Sequence, residues 1–255
     1  MDKLFENKTV MISGGMGDIG RAMAIEFAKH GANVALCGSR PATIATEFLA
    51  TLRLYKVSAA YTQVDVTDAK AVQDWVMEVE NSMGLPTIII PNAATVTLAG
   101  IHEISSEQWS RELRVNLDGA FHLAQSATAR LIHHKEPGRV AFIGSWAGYT
   151  PHINIPAYCV AKAGMRMLCK CMALELAPHN ILINELAPGF VEAGLSGDVW
   201  EKNPGAAEAA IQKVPIKKVM SAAQVAEQVI FLCHPNNEHM TGSTILMDGG
   251  LSLLS

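Results

Sequence analysis

The fold is decided by Val10-Met-Ile-Ser13-Gly14-Gly15-Met16-Gly17-Asp18-Ile19-Gly20, close to the start of the chain. A short apolar run leads into a glycine-rich turn, and a helical pattern begins at residue 18. Gly15, Gly17 and Gly20 match G-x-G-x-x-G between a strand and a helix. Without side chains the turn can be tight and the backbone can approach a pyrophosphate, whose charge meets the positive end of the helix. This stretch predicts a dinucleotide-binding βαβ unit.

Short apolar runs recur along the rest of the chain. Their centres, such as Thr87-Ile-Ile-Ile90 and Val140-Ala-Phe-Ile143, are apolar at nearly every position rather than at alternate ones. A strand covered on both faces requires this pattern, so the runs predict a parallel sheet between two helical layers. The predicted strands are Val10–Ser13, Asn33–Gly38, Ala59–Val64, Thr87–Pro91, Arg139–Gly144, Ile181–Ala187 and Ser243–Met247.

Amphipathic segments separate these strands. Helices are predicted at about 18–30, 41–54, 68–82, 106–133, 156–177 and 221–233. Helix starts are indicated at Thr67-Asp68 and Ser105-Ser106-Glu107, and helix ends at Gly31 and Gly84. The succession predicts a doubly wound, Rossmann-type α/β fold, a three-layer sandwich with a seven-stranded, mainly parallel sheet. We expect one dinucleotide-binding catalytic domain over 1–255, with 190–221 as a substrate loop or lid insertion.

Composition excludes several classes of protein. The 255 residues are 49% hydrophobic and 17% charged, which excludes a disordered chain. Twenty basic and twenty-four acidic side chains give a net charge of −4 without any basic run. We therefore expect neither nucleic acid nor a membrane as a partner.

The five cysteines are scattered, and none is clustered with histidine in a metal-binding spacing. His133-His134 has no apparent third ligand, so no metal is expected. An odd number of scattered cysteines is typical of reduced thiols, and the start of the chain has no apolar run typical of a signal peptide. These features predict a cytoplasmic protein.

The end of the second predicted strand bears on the cofactor. An acidic residue there would bind the ribose 2′-hydroxyl of NAD, but the sequence reads Cys37-Gly38-Ser39-Arg40. Ser39 and Arg40 can donate hydrogen bonds to a 2′-phosphate. This favours NADP over NAD, although Arg40 can also be read as a solvated loop arginine.

A catalytic pair is indicated by Tyr158-Cys-Val-Ala-Lys162, which places a phenol and an ammonium one turn apart on a helix face. A nearby cation favours the phenolate and is expected to lower the tyrosine pKa from about 10 toward neutrality. Such a tyrosine can act as acid or base on an alcohol or ketone. Taken alone, the spacing also fits a surface pair.

Together these motifs resemble the short-chain dehydrogenase/reductase family over essentially the whole chain. Further matching segments are Asp65-Val66, Pro91-Asn92-Ala93-Ala94, Val-Asn116-Leu-Asp-Gly, Gly-Ser145-Trp-Ala-Gly, Pro188-Gly189 and Thr241-Gly-Ser-Thr-Ile-Leu-Met-Asp-Gly-Gly250. The resemblance implies an NAD(P)-dependent oxidoreductase and a homotetramer. The apolar residues Met165, Met167 and Leu168 on the tyrosine helix are compatible with such a tetramer, and core burial would need the same residues.

The resemblance also implies roles for individual residues. Tyr158 would exchange a proton with the substrate oxygen, and Lys162 would lower the pKa of that tyrosine and bind the nicotinamide ribose. Ser145 would hydrogen-bond the substrate oxygen, and Asn116 would hold a water on the proton path. Cofactor contacts are expected from Gly14, Gly17, Ile19, Gly20, Ser39, Arg40, Asp65, Val66, Asn92, Tyr158, Lys162, Pro188, Gly189 and Val191.

Four positions depart from the family pattern. Asp18 replaces the middle glycine of the turn, and Pro91 and Ala94 replace an asparagine and a glycine. Ala193 stands where the family has a threonine that bonds the nicotinamide carboxamide, which predicts looser binding of that ring or a substitute contact.

The sequence indicates the type of reaction more closely than it indicates the substrate. A small polyol, sugar or hydroxy-ketone is favoured, with a β-ketoacyl thioester reductase as the alternative, because no basic cluster is present for an acidic carrier. The charged residues of the insertion favour neither strongly; they are Glu192, Asp198, Glu201, Lys202, Glu208 and Lys213. A cofactor-binding regulator without turnover would be expected to lack Tyr158 or Lys162. His152, Trp146 and Trp200 are candidates for substrate contacts or for plain packing.

Overall fold

A seven-stranded sheet lies at the centre of the molecule. The computed structural model describes residues 3–193 and 204–254. The strands are β1 Thr9–Ser13, β2 Asn33–Gly38, β3 Ala59–Gln63, β4 Pro86–Ile90, β5 Gly138–Ile143, β6 Ile181–Pro188 and β7 Thr244–Met247. Their order across the sheet is β3-β2-β1-β4-β5-β6-β7, and every pairing is parallel. The predicted doubly wound α/β fold is confirmed.

Helices cover both faces of this sheet. They are α1 Asp18–Lys29, α2 Thr46–Arg53, α3 Ala69–Met83, α4 Ser106–Leu113, α5 Gly119–His134, α6 Pro156–Leu176, α7 Pro204–Lys213 and α8 Ala222–Cys233. Side chains alternate along a strand, so Val10 and Ile12 of β1 face one core and Met11 faces the other. The first core includes Phe27 of α1, and the second includes Trp75 of α3.

The predicted helix signals act where they were expected. Asp68 caps α3 by accepting hydrogen bonds from the N–H groups of Lys70 and Ala71, at 2.9 and 3.0 Å. Ser105 and Gln108 form a reciprocal capping box at the start of α4. Gly84 ends α3 with a φ of 86°, a backbone conformation that favours glycine. Local side chains therefore fix where these helices begin and end.

Two predicted helices differ from the observed ones. The helix expected over 106–133 contains a π turn, Arg114–Asp118, which separates α4 from α5. A π turn accommodates one extra residue and is frequent at functional sites. The helix expected over 41–54 becomes regular only at Thr46, because a 3-10 turn occupies Ala42–Ala45 after Pro41.

The insertion expected over 190–221 is described in part. Val191 and Met220 form a parallel bridge that closes its base, and α7 lies between them along the chain. Trp200, Asp198, Glu201 and Lys202 lie outside the described residues. Among the helices that are described, none combines the length and the apolar character needed to cross a membrane.

A charged cluster joins α3 to α5. Arg130 donates to both carboxylate oxygens of Glu80, at 2.7 and 2.9 Å, and His134 Nε2 lies 2.8 Å from Glu80 Oε1. These bonds, the one from Arg130 above all, lower the pKa of Glu80 to about 2. His134 thus belongs to a surface cluster with Glu80 and Arg130.

We expect Glu80→Gln to lower the free energy of unfolding at pH 7 by about 1–2 kcal/mol. The pKa of Glu80 is depressed in the folded state, so its stabilisation is complete above the unfolded pKa of 4.5 and is lost as pH falls toward about 2. Urea unfolding at pH 7 and pH 3, with Glu175→Gln as an exposed control, measures this. A deficit of equal size at both pH values would contradict the assignment.

Candidate active site

A deep cleft opens at the carboxyl ends of the strands. Its volume is about 1180 Å³, and it runs past the ends of β1, β2, β3, β4, β5 and β6. The strand order reverses between β1 and β4, and ligands of doubly wound sheets bind at this switch point. The cleft therefore lies where the topology leaves room for a cofactor.

The predicted site residues converge on this cleft, apart from Asn116. Those that line it are Gly14, Gly17, Ile19, Gly20, Ser39, Arg40, Asp65, Val66, Asn92, Ser145, Tyr158, Lys162, Pro188, Gly189 and Val191. They come from six strand ends and two helices, so only the folded chain brings them together.

The glycine turn has the shape that a pyrophosphate requires. A Cβ on Gly14, whose φ is +63°, would lie 2.9 Å from Ala93 Cα, and one on Gly20 would clash with the carbonyl oxygen of Gly14. A Cβ on Gly17 would instead meet nothing nearer than 3.5 Å and would occupy the open side of the turn. Gly14 and Gly20 thus allow tight packing, whereas Gly17 keeps the approach to the α1 amides clear. These residues fit a dinucleotide.

The turn is held by a contact that the sequence analysis did not identify. Ser13 Oγ accepts hydrogen bonds from the N–H groups of Asn92 and Ala93, at 3.0 and 3.1 Å. Asn92 Nδ2 in turn donates to the carbonyl oxygens of Ser13 and Gly14, at 2.9 and 3.2 Å. Asn92 therefore joins the ends of β1 and β4 and shapes the turn, in addition to lining the cleft.

The adenosine end of the cleft is formed after β2. Arg40 Nη2 donates to the carbonyl oxygen of Met16 in the glycine turn, at 3.1 Å. Tyr61 donates to the carbonyl oxygen of Arg40, at 2.8 Å, and Gln63 donates to that of Ser39, at 3.0 Å. Arg40 therefore lies across the mouth of the cleft rather than extending freely into solvent.

The opposite end contains a serine, a tyrosine and a lysine. Ser145 Oγ accepts a hydrogen bond from the N–H of Ala147, at 3.1 Å, and its hydroxyl lies near the phenol of Tyr158, which lines the same cleft. Lys162 Nζ donates to the carbonyl oxygen of Ile143, at 2.7 Å, and lies 5.5 Å from the centre of the Tyr158 ring. The spacing of four on α6 thus places both side chains in one buried site.

The pKa of Tyr158 differs from the sequence prediction. Burial raises it to about 12, and the nearby hydroxyl of Ser145 offsets only part of that rise. Burial also lowers the pKa of Lys162 to about 8. The expectation of a tyrosine pKa near neutrality is wrong for this state of the protein, because desolvation of the phenolate dominates. Tyr158 is a proton donor at neutral pH.

Asn116 is set back from the cleft. Its side chain is fully buried in the π turn, where Oδ1 accepts from the N–H of Thr95 at 2.9 Å and Nδ2 donates to the carbonyl oxygen of Thr95 at 2.8 Å. Thr95 itself lines the cleft. The carboxamide positions this segment of the floor, and the role in a proton path implied by the resemblance stays a prediction.

A buried ion pair supports the segment from Ser145 to Gly148, which we call the serine loop. The sequence did not indicate this pair. Arg166 Nε donates to Glu185 Oε2 at 2.9 Å, and Glu185 is 0% exposed. Other guanidinium nitrogens donate to the carbonyl oxygens of Gly148 and Ser145, at 2.9 and 3.3 Å. Thr244 adds a bond of 2.7 Å to the same carboxylate oxygen of Glu185. The signal in the sequence is a single charged residue inside a largely apolar strand.

Glycine at position 144 belongs to the same arrangement. A Cβ on Gly144 would clash with Glu185 Oε1. The carboxylate therefore occupies the space that a side chain at 144 would need.

Further charged groups in or near the cleft were also missed. Glu112 is buried on α4, where Oε2 accepts from the N–H of Thr97 at 2.9 Å and burial raises the pKa of the carboxyl. Arg111 and Arg114 are exposed and line the cleft. Within 3–193 and 204–254, no group of three or more His, Cys, Asp or Glu side chains could hold a metal ion.

Comparisons with known proteins cover nearly the whole chain. Residues 15–252 match the family model described as enoyl-(acyl carrier protein) reductase. The chain is 30% identical to 2,3-dihydro-2,3-dihydroxybenzoate dehydrogenase of Bacillus subtilis, over 98% of each chain. It is 29% identical to a 3-oxoacyl-[acyl-carrier-protein] reductase of Aquifex aeolicus, over 98% of this chain and 100% of the relative.

A solved structure has the same fold. The structure of NAD+-bound xylitol dehydrogenase superposes with a TM-score of 0.90 at 27% identity, over 96% of this chain and 99% of that one.

Proposed function

Because this chain belongs to the short-chain dehydrogenase/reductase family, and is thus an oxidoreductase acting on CH–OH and C=O groups, we propose that it acts on a small polar substrate. The favoured class is a secondary alcohol or ketone of a polyol, sugar or hydroxy-ketone. The observation that carries the proposal is the meeting of Ser145, Tyr158 and buried Lys162 in one cleft with the glycine turn. Relatives named for a cyclic diol and for xylitol support the substrate class.

The dinucleotide, when bound, supplies or accepts the hydride. The glycine turn, Asp65–Val66 and Pro188–Gly189 would hold it along the cleft. Tyr158 keeps its proton at neutral pH, since its pKa is raised to about 12, and it can donate that proton to the oxygen of a ketone undergoing reduction. Ser145 donates a second hydrogen bond to this oxygen, and the ammonium of Lys162 stabilises the phenolate that forms.

We propose NADP as the preferred form of the cofactor. Ser39 and Arg40 line the adenosine end, and Gly38 places no carboxylate there. Arg40 makes one 3.1 Å bond to a backbone oxygen, so its other nitrogens can bind a 2′-phosphate.

Arg40→Ala is expected to raise the KM for NADPH by about 10–100-fold, because a charge-assisted bond to phosphate is lost. The KM for NADH should change by about twofold or less, since NADH has no 2′-phosphate. Steady-state kinetics with both cofactors measure the two effects. Lys8→Ala, an exposed cation outside the cleft, is the control. A lower KM for NADH than for NADPH in the natural protein would contradict the preference.

A panel of alcohols and ketones, assayed with both cofactors, tests the proposed function. Turnover of polyols, sugars or hydroxy-ketones is the expected result. Tight binding of NADPH without turnover of any compound would instead indicate a regulator that uses the fold only for binding.

A second candidate is reduction of a β-ketoacyl thioester. Arg111 and Arg114 line the cleft and could meet an acidic carrier, a feature that the insertion alone did not suggest. Exposed Leu98 and Ile153 add apolar surface suited to an acyl chain. The Aquifex aeolicus relative supports this reading. Activity on a 3-ketoacyl thioester well above that on hydroxy-ketones would favour it over the polar substrate.

We also propose a cytoplasmic homotetramer built from a single domain over 1–255. The five cysteines are free thiols, which suits a reducing compartment. Val160, Met167 and Leu174 recur every seven residues on α6 and are 48%, 59% and 83% exposed. Residues at this spacing share one helix face, so they form an apolar stripe that a second copy can cover.

A further inference from the structure

Three rings form one wall of the catalytic cleft. His152 and Phe190 pack edge-on against Trp146, with ring centres 4.4 and 5.4 Å away. We call Trp146, His152 and Phe190 the aromatic wall. Two of these residues directly follow segments of the site: Trp146 follows Ser145, and Phe190 follows Pro188–Gly189. The wall therefore borders the place where the substrate oxygen meets Ser145 and Tyr158.

The imidazole of His152 has an unused buried nitrogen. Its Nε2 is inaccessible to solvent and has no hydrogen-bond partner among residues 3–193 and 204–254. A buried polar atom without a partner is costly, so such an atom beside a cleft indicates a ligand group that completes it. The loop that carries His152 is held against α6, because the backbone N–H of His152 donates to the sulfur of Cys159, the residue after Tyr158.

The charge state of His152 restricts which chemical groups its Nε2 can bind. Burial lowers the pKa of the imidazole, and the nearby ammonium of Lys213 lowers it further, so the ring is neutral at pH 7. A neutral imidazole nitrogen either donates or accepts, depending on the tautomer. A hydroxyl can do both and matches either tautomer, whereas a carboxylate can only accept. The apolar C–H surface of the ligand would pack against Trp146 and Phe190.

We propose that His152 Nε2 binds a second hydroxyl of the substrate, close to the reacting carbon. The chain would thereby select hydroxy-ketones and diols over ketones and alcohols that lack this hydroxyl. The inference rests on the proposed function and makes its polar substrate class specific. His152 is a specificity residue in this proposal, and the proton transfer remains with Tyr158.

The test compares 2-hydroxycyclohexanone with cyclohexanone as substrates for reduction. The natural protein should show a kcat/KM about tenfold or more higher for the hydroxylated compound, the size of one neutral hydrogen bond. His152→Phe keeps a ring against Trp146 but removes the nitrogen, so it should lower kcat/KM about tenfold for 2-hydroxycyclohexanone only. His152→Gln, which retains a hydrogen-bonding group, should restore part of the loss.

His179→Phe is the matched control, because His179 is exposed and lies outside the cleft. Equal kcat/KM for both ketones in the natural protein, or an equal loss for both in His152→Phe, would overturn the inference and leave the proposed function standing. Failure of the natural protein to reduce any ketone of the wider panel, while it binds cofactor, would overturn the proposed function together with this inference.

Discussion

Replacing Tyr158 with phenylalanine should lower kcat for ketone reduction by about 10²–10⁴-fold without unfolding the protein. The phenol lines the cleft beside Ser145 and is the proton donor in the proposed mechanism. Phenylalanine keeps the ring that packs at the start of α6, so the loss reports the missing proton and hydrogen bond. Binding of the dinucleotide at the glycine turn should persist.

The matched control is Tyr149→Phe. Tyr149 lies in the loop between Ser145 and α6 and is exposed. The centre of its ring lies 3.4 Å from the guanidinium carbon of Arg166. Removing its hydroxyl should leave kcat within about twofold, because the stacked ring is retained. Single-turnover kinetics separate the chemical step from product release. Near-normal single-turnover rates in Tyr158→Phe would refute the role assigned to this tyrosine.

Replacing Arg166 with methionine should lower the free energy of unfolding by about 3–5 kcal/mol. Glu185 is fully buried, so the substitution leaves a carboxylate without its ionic partner in a low-dielectric interior. The same change removes the bonds to the carbonyl oxygens of Ser145 and Gly148, so the serine loop should also be less well positioned.

A double-substitution cycle isolates the ion pair. In Arg166→Met with Glu185→Gln, the orphaned charge is absent, and much of the lost stability should return. Lys3→Ala provides a scale, because the Lys3–Glu6 pair is exposed and should contribute less than about 1 kcal/mol. Urea unfolding measures all of these variants. Additive losses in the double variant would show that the two side chains do not stabilise the fold as a pair.

The fold was predictable because its signals are local or periodic. Strands such as Ile88–Ile90 are apolar on both faces, and Asp68 and Ser105 mark helix starts by bonding backbone groups within three residues. The glycine turn could be placed for the same reason, since its chemistry depends on neighbouring residues. The cleft then follows from topology, because parallel strands bring their carboxyl ends to one edge.

The remaining features depend on contacts between distant segments. Nothing near Glu185 in the sequence indicates that Arg166 is its partner, although a lone charge in an apolar strand requires one. The pKa of Tyr158 depends on how completely the folded chain buries the phenol, which spacing on a helix does not reveal. The π turn at Asn116 likewise depends on the bonds to Thr95.

The contact between Gly144 and Glu185 restricts the order in which these positions can evolve. A side chain gained at 144 while Glu185 is present would collide with the carboxylate, and loss of Glu185 alone would strand the charge of Arg166. In evolution, therefore, the carboxylate of Glu185 must be replaced by a smaller side chain and the charge of Arg166 must be lost. Only then can a residue other than glycine occupy position 144. These three positions should be inherited as a set, and single exchanges between relatives that differ at all three should be poorly tolerated.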